Sequence, residues 1–211
     1  MSNQAASAQQ RLPLLGAILA GGMSTRMGTP KSRLKLHGRR VIDVLADHLR
    51  PFCAKTVIIC RDQEQAAKLT PHPGTTLLYD ASPNLGPMGG LITAFAHSRY
   101  DAVLLLGCDV PFIQVQLLEK LSANFERDQP IALLPRTPGP DGPQPQPLCS
   151  IWSLRAAPHV QAAVREPHRS LFRLAARIGA AYLDLNGEES KQLRNVNTRA
   201  DLVDGLSFED Q

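Results

Sequence analysis

Residues 14–31 read LLGAILAGGMSTRMGTPK: an apolar run, two adjacent glycines, a polar turn, a third glycine and a lysine. Gly21 and Gly22 lack the Cβ that would hold a ligand off the backbone, and successive free N–H groups make a concave anion nest. Arg26 and Lys31 add the positive charge that a triphosphate requires. A flexible linker does not explain two glycines set flush against an apolar run. Nor is this a Walker A loop, because five residues rather than four separate Gly22 from Gly28 and no Gly-Lys-Ser follows. The dinucleotide fingerprint GxGxxG is absent too.

Two carboxylates stand at the ends of later apolar runs, Asp80 after residues 75–79 and Asp109 after residues 102–107. Open α/β sheets bind ligands at the carboxyl ends of their strands. A lone carboxylate there suits Mg2+, which keeps most of its waters and takes other ligands from phosphates. The plainer roles are a helix cap for Asp109 and a turn for Asp80. Gly86, Pro87, Gly89 and Gly90 make a second tight loop that opens a helix, whose N-terminus can receive an anion. Asn195, Asn197 and Thr198 offer neutral donors and acceptors for a ligand ring, or a cap for a helix starting near Arg199. Arg169, in the turn of HRSLFRL, reads first as a surface arginine and second as a phosphate contact. The six histidines show no HxxxH or HExxH spacing, and no nucleophilic Ser-His or Cys-His motif is evident.

These residues need a scaffold. Strands are predicted at 14–20, 56–60, 75–79, 102–107, 131–134, 148–152 and 181–185. Helices are predicted at 41–50, 63–69, 89–98, 114–125, 155–164, 170–178 and 199–206. Leu117, Leu118, Leu121 and Phe125 recur at spacings of three and four, which gives a helical apolar face. The strands are nearly continuously apolar, as when both faces of a parallel sheet are covered. The expected fold is therefore α/β: a three-layer sandwich with a Rossmann-like, mostly parallel sheet of about seven strands and helices on both faces. The proline-rich segment 135–147 reads as an extended loop, either a rim over the site or a spacer. The expected organisation is an N-terminal disordered tail (1–12), one domain (13–206) and a short C-terminal tail (207–211).

Composition narrows the function class. Seven basic residues precede the first acidic one, Asp43, but none of the first 42 residues is aromatic. Base stacking has no platform there, so a polyanionic small molecule is a better partner than nucleic acid. No apolar run approaches a membrane span. The first ten residues lack the basic-then-apolar order of a secretory signal. Cys53, Cys60, Cys108 and Cys149 are widely spaced without a CxxC pair. That pattern speaks against zinc and disulfides and for a reducing cytoplasm.

LAGGMSTRMGTPK is similar to the signature LAGGxSxRMGxxK of a nucleotidyltransferase family. GPMGG at 86–90, CDVPF at 108–112 and NVNT at 195–198 follow in the same order. Together these motifs resemble the molybdenum cofactor guanylyltransferases, and the likeness runs from about Leu14 to Leu202. The resemblance implies transfer of GMP from GTP to molybdopterin, with Mg2+ as cofactor and pyrophosphate as by-product. It implies catalytic roles for Arg26, Lys31 and Asp109, with Asp109 also the metal ligand. It puts the nucleotide on Leu19, Ala20, Gly21, Gly22, Lys31, Asp80 and Asp109, and the acceptor on Gly89, Gly90, Asn195 and Asn197. By resemblance alone, LAGG points to guanine rather than cytosine, since the cytidylyl-transferring branch tends to carry LAAG. The chain departs from the family at Pro30, where many relatives have Asp, and at Cys60 and Arg61, where relatives carry a polar nucleotide contact. The other readings are a molybdopterin cytidylyltransferase, a sugar-1-phosphate nucleotidylyltransferase and a non-catalytic nucleotide-binding accessory protein. GTP and molybdopterin are the expected partners, with molybdenum-cofactor handling proteins and acceptor molybdoenzymes beyond them, and a monomer is expected.

Overall fold

Alternate residues of the first strand, β1 (Leu14–Leu19), enter two separate hydrophobic cores, Leu14 and Ile18 one and Leu15 and Ala17 the other. Period-two alternation makes this obligatory in a sheet covered on both faces. The structure, a computed structural model, describes residues 13–21, 34–82, 84–167, 169–197 and 201. Both expected tails, Gly22, Arg26, Gly28, Lys31, Thr198 and all of the expected last helix except Asp201 lie outside the described residues.

After β1 come a two-stranded hairpin, β2 (Lys35–Leu36) and β3 (Arg39–Arg40), then α1 (Val41–Leu49), β4 (Cys53–Cys60), α2 (Gln63–Ala67) and β5 (Thr75–Tyr79). The chain continues through α3 (Pro87–His97), β6 (Ala102–Gly107), α4 (Val115–Asp128), β7 (Ala132–Thr137), β8 (Gln144–Pro145) and β9 (Cys149–Ser153). A 3-10 turn (Leu154–Ala156), α5 (Ala157–Ala163), α6 (Leu171–Arg177), β10 (Ala181–Asp184) and α7 (Gly187–Lys191) follow. The main sheet runs β10-β7-β9-β6-β1-β4-β5, with β8 added to β7. The pairs around β1, β4–β5 and β7–β10 are parallel, whereas β9 runs antiparallel to both β6 and β7.

Helices α1 and α4 cover one face, with Ile42, Leu45, Leu118 and Leu121 packed against Ile58, Leu104 and Leu106. Helices α3, α5 and α6 cover the other, with Leu91, Val160 and Leu174 against Val57, Val103 and Leu105. The three-layer α/β sandwich expected from the sequence is what the chain forms, and the apolar face of α4 is buried at the four positions that the spacing marks. Among the described residues, no helix is long and apolar enough to cross a membrane.

The structure corrects the reading of the proline-rich segment. Residues 135–147 are not an extended loop: β7 continues through Pro135 to Thr137, and β8 turns back against it. The Gln146 N–H donates to the Pro135 carbonyl at 2.9 Å. Pro145 lies in β8, an edge strand paired only with β7, and Pro135 falls where the partner of β7 changes from β9 to β8, so the hairpin tolerates both. Besides β8, two elements have no counterpart among the expected ones, the β2–β3 hairpin and α7. The former turns through His37 and Gly38, both at positive φ, a tight-turn geometry that favours glycine in the second place.

Candidate active site

Strand order reverses at β1, which has β4 and β5 on one side and β6 on the other. A crevice must open where the connections part. A cavity of about 420 Å³ lies there, lined by Leu19 at the end of β1 and Gly21 beyond it, by Ile59 and Cys60 of β4 and Arg61 after them, and by Gly107 of β6 with Cys108 and Asp109 after it. Asp80, Asn84, Gly86, Pro87 and Gly90 close it on the β5–α3 side, and Leu148 on the side of β9.

Asp80 is held by several groups. Its backbone N–H extends the β4 ladder to the Cys60 carbonyl at 2.8 Å. Its Oδ1 accepts from the Ser82 N–H at 2.8 Å and lies 3.5 Å from the hydroxyl of buried Thr93, which also accepts from the Ala81 N–H. A Cβ on Gly89 would lie 2.5 Å from Asp80 Oδ2 and 2.7 Å from the Ser82 carbonyl oxygen. The carboxylate therefore fills the space that the glycine leaves. Burial raises the Asp80 carboxyl pKa, against the bonds from Ser82 and Thr93. A semi-buried, oriented carboxylate of this kind can accept N–H groups from a ligand ring. Gly86, at φ 56° and ψ −143°, caps α3 in a conformation reserved for glycine, with Pro87 at the first helical position.

Asp109 stands in the turn after β6. Its carbonyl accepts from the Val196 N–H at 2.7 Å, and the Cys108 N–H donates to the Leu19 carbonyl at 3.1 Å. The first bond seats the 195–197 segment beside Asp109, with Val196 buried and Asn195 and Asn197 exposed on either side of it. The Asn197 N–H donates to Asp201 at 2.8 Å. A Cβ on Gly107 would collide with Asp109 Oδ1, so Gly107 cradles that carboxylate much as Gly89 cradles Asp80. Among the described residues, no group of three or more His, Cys, Asp or Glu side chains could hold a metal. A single carboxylate facing a cavity fits a hard ion that completes its shell with water and phosphate, and does not fit a structural zinc.

The candidate residues divide by position. Leu19, Gly21, Asp80, Gly90 and Asp109 line the cavity, as do Gly86 and Pro87. Ala20 is buried beside it, Gly89 stands behind Asp80, and Asn195 and Asn197 flank it through the Asp109 turn. Asn84, Ile59 and Leu148 line it although no sequence motif marks them. Asn84 carries a faint signal: it sits at φ 71° within ASPNLGP, and asparagine tolerates that region better than other side chains. Cys60 also lines the wall, and its thiol is pushed up to about 11 by burial and by Asp62. It is protonated at neutral pH and a poor nucleophile.

Comparison with known proteins agrees with this architecture. The family model for the MobA-like NTP transferase domain matches residues 16–181. A probable molybdenum cofactor guanylyltransferase of Rhodopirellula baltica is 34% identical over 90% of each chain. One from Methanothermobacter thermautotrophicus is 31% identical, over 88% of this chain and 95% of its own. The crystal structure of molybdopterin-guanine dinucleotide biosynthesis protein A from Archaeoglobus fulgidus superposes with a TM-score of 0.77 at 25% identity, covering 93% of this chain and 99% of that one. The sheet, the crevice and the glycine-cradled carboxylates described above thus accompany a sequence that belongs to the MobA-like NTP transferase family, a family of nucleotidyltransferases.

Proposed function

We propose that this enzyme transfers GMP from GTP to molybdopterin, releasing pyrophosphate and forming the guanine dinucleotide form of the molybdenum cofactor. The observation that carries the reading is the cavity at the strand switch, bordered by Asp80 at the end of β5 and by Asp109 after β6. The names borne by its relatives supply the substrates.

In this reading the β1 exit, with Gly21 and Gly22, receives the phosphates on backbone N–H groups, and Arg26 and Lys31 offset their charge. Asp80 accepts from the base edge. Asp109 would hold Mg2+, which supplies positive charge at the phosphate oxygens when bound. Asn195 and Asn197, with Gly90, border the acceptor, whereas Gly89, set behind the Asp80 carboxylate, acts through that group instead. A phosphate monoester is already ionised at neutral pH, so attack on the α-phosphate requires no side-chain base. The chain's work is to place the acceptor in line and to offset charge on the departing pyrophosphate. Direct displacement accords with a cavity whose Cys60 stays a thiol.

The test is pyrophosphate release by the purified protein with molybdopterin, Mg2+ and each nucleoside triphosphate in turn. GTP should support turnover best, and Asp109→Ala and Lys31→Ala should each lower kcat by about a hundredfold or more. Preference for CTP would overturn the guanylyl assignment. GTP binding without turnover would identify an accessory protein instead.

A further inference from the structure

The β1–β4 ladder ends in an unusual way beside the cavity. Its last rung is the Ala20 N–H donating to the Ile59 carbonyl at 2.9 Å. In a parallel ladder the next rung would run from the Arg61 N–H to the Ala20 carbonyl. The amide of Gln65 stands between them instead. Its Oε1 accepts from the Arg61 N–H at 2.8 Å, and its Nε2 donates to the Ala20 carbonyl at 2.9 Å. One side chain thus replaces a rung, satisfying both backbone groups while holding the two strands apart.

The amide is itself held in place. Gln65 lies on α2, and its backbone N–H donates to the capping carboxylate of Asp62 at 2.7 Å. On the cavity side the two exits still touch: a Cβ on Gly21 would lie 3.0 Å from the Arg61 nitrogen. Gly21 and Arg61 both line the cavity. Gln65 thus ties the residue before Gly21 to Arg61, the residue against which Gly21 packs.

We propose that Gln65 is a positioning residue that sets where the β1 exit presents its backbone to the nucleotide's phosphates. The proposal rests on the nucleotide binding in this cavity. It assigns a function to a residue that belongs to none of the glycine or aspartate motifs.

Gln65→Met keeps the volume and loses both bonds, whereas Gln65→Glu keeps acceptance from Arg61 and sets a carboxylate against the Ala20 carbonyl. Steady-state pyrophosphate release and calorimetric titration with Mg-GTP separate the effects. Gln65→Met should raise the GTP KM and Kd about tenfold, with kcat and molybdopterin KM within about threefold of wild type. Gln65→Glu should weaken GTP binding as well, without changing molybdopterin KM. Wild-type GTP affinity in folded Gln65→Met protein overturns the proposal, and so does a loss spread equally over kcat and both substrates. If wild-type protein itself fails to bind GTP, the site reading fails instead, which keeps the two ideas distinguishable.

Discussion

Asp80 gains its orientation at a cost in solvation. Its carboxyl pKa is raised by burial, so the folded chain holds the Asp80 proton more tightly than the unfolded chain does. The contribution is fully present below the unfolded value, about pH 4, and is lost as pH rises through the raised folded value. At neutral pH the ionised group therefore weighs against the fold. Asp80→Asn, which keeps an oxygen for the Ser82 N–H, should raise Tm at neutral pH, and the gain should shrink as the pH is lowered into the carboxyl range. Melting curves across that range check it, and a gain independent of pH would count against burial as the cause. The same variant should bind GTP more weakly, the usual exchange of stability for function at a site. Asp80 and Asp109 are legible in the sequence because each ends an apolar run. Gln65 is not, because its significance lies in a bond to a carbonyl 45 residues away.

The β7–β8 hairpin illustrates a signal that misleads at the level of an element. Prolines at 135, 138, 140, 143, 145 and 147 break regular ladders, and a loop is the natural inference from them. The pairing survives because Thr137 and Gln144 are register partners, and Gln146 Nε2 donates to the Thr137 hydroxyl at 2.9 Å. Beyond that rung Pro138, Pro140, Asp141 and Pro143 are exposed, and no residue of 138–143 lines the cavity. Replacing 138–143 with Asn-Gly joins Thr137 to Gln144 by a two-residue turn suited to a hairpin. The shortened protein should melt within a few degrees of wild type, with the GTP KM unchanged, because loop length alone costs little. A rise in molybdopterin KM alone would identify the tip as a rim over the acceptor; unchanged constants would make it a spacer. The helices are more legible than this hairpin because their burial follows one period, as Leu117, Leu118, Leu121 and Phe125 illustrate.

At the scale of the whole molecule, alternating apolar segments suffice to predict three layers, since both faces of the sheet have to be covered. Strand order is not legible in that way. No local pattern reveals that β9 inserts antiparallel between β6 and β7, because a fully buried strand reads the same in either direction. The crevice that results exists only in the folded chain, so ligand binding there should act on stability by mass action. Mg-GTP at about a hundred times its Kd should add roughly 2.7 kcal/mol to unfolding. Asp109→Ala should lose most of that gain while its ligand-free Tm stays close to wild type, since the Val196 bond uses the Asp109 backbone carbonyl. Thermal melts with and without Mg-GTP measure both quantities. An equal ligand-induced rise in the two proteins would remove Asp109 from the site.

The central place of β1 also governs how the chain comes off the ribosome. Its two neighbours begin at Cys53 and Ala102, so one edge waits for β4 and the other, much longer, for β6. Until Ala102–Gly107 has emerged, Leu14–Leu19 presents a row of unpaired amides and carbonyls flanked by side chains that are almost wholly buried in the finished protein. Such an edge is a template for pairing with another nascent chain. Fragments that stop short of residue 102 should therefore aggregate during translation, and chaperone dependence should fall once β6 is complete.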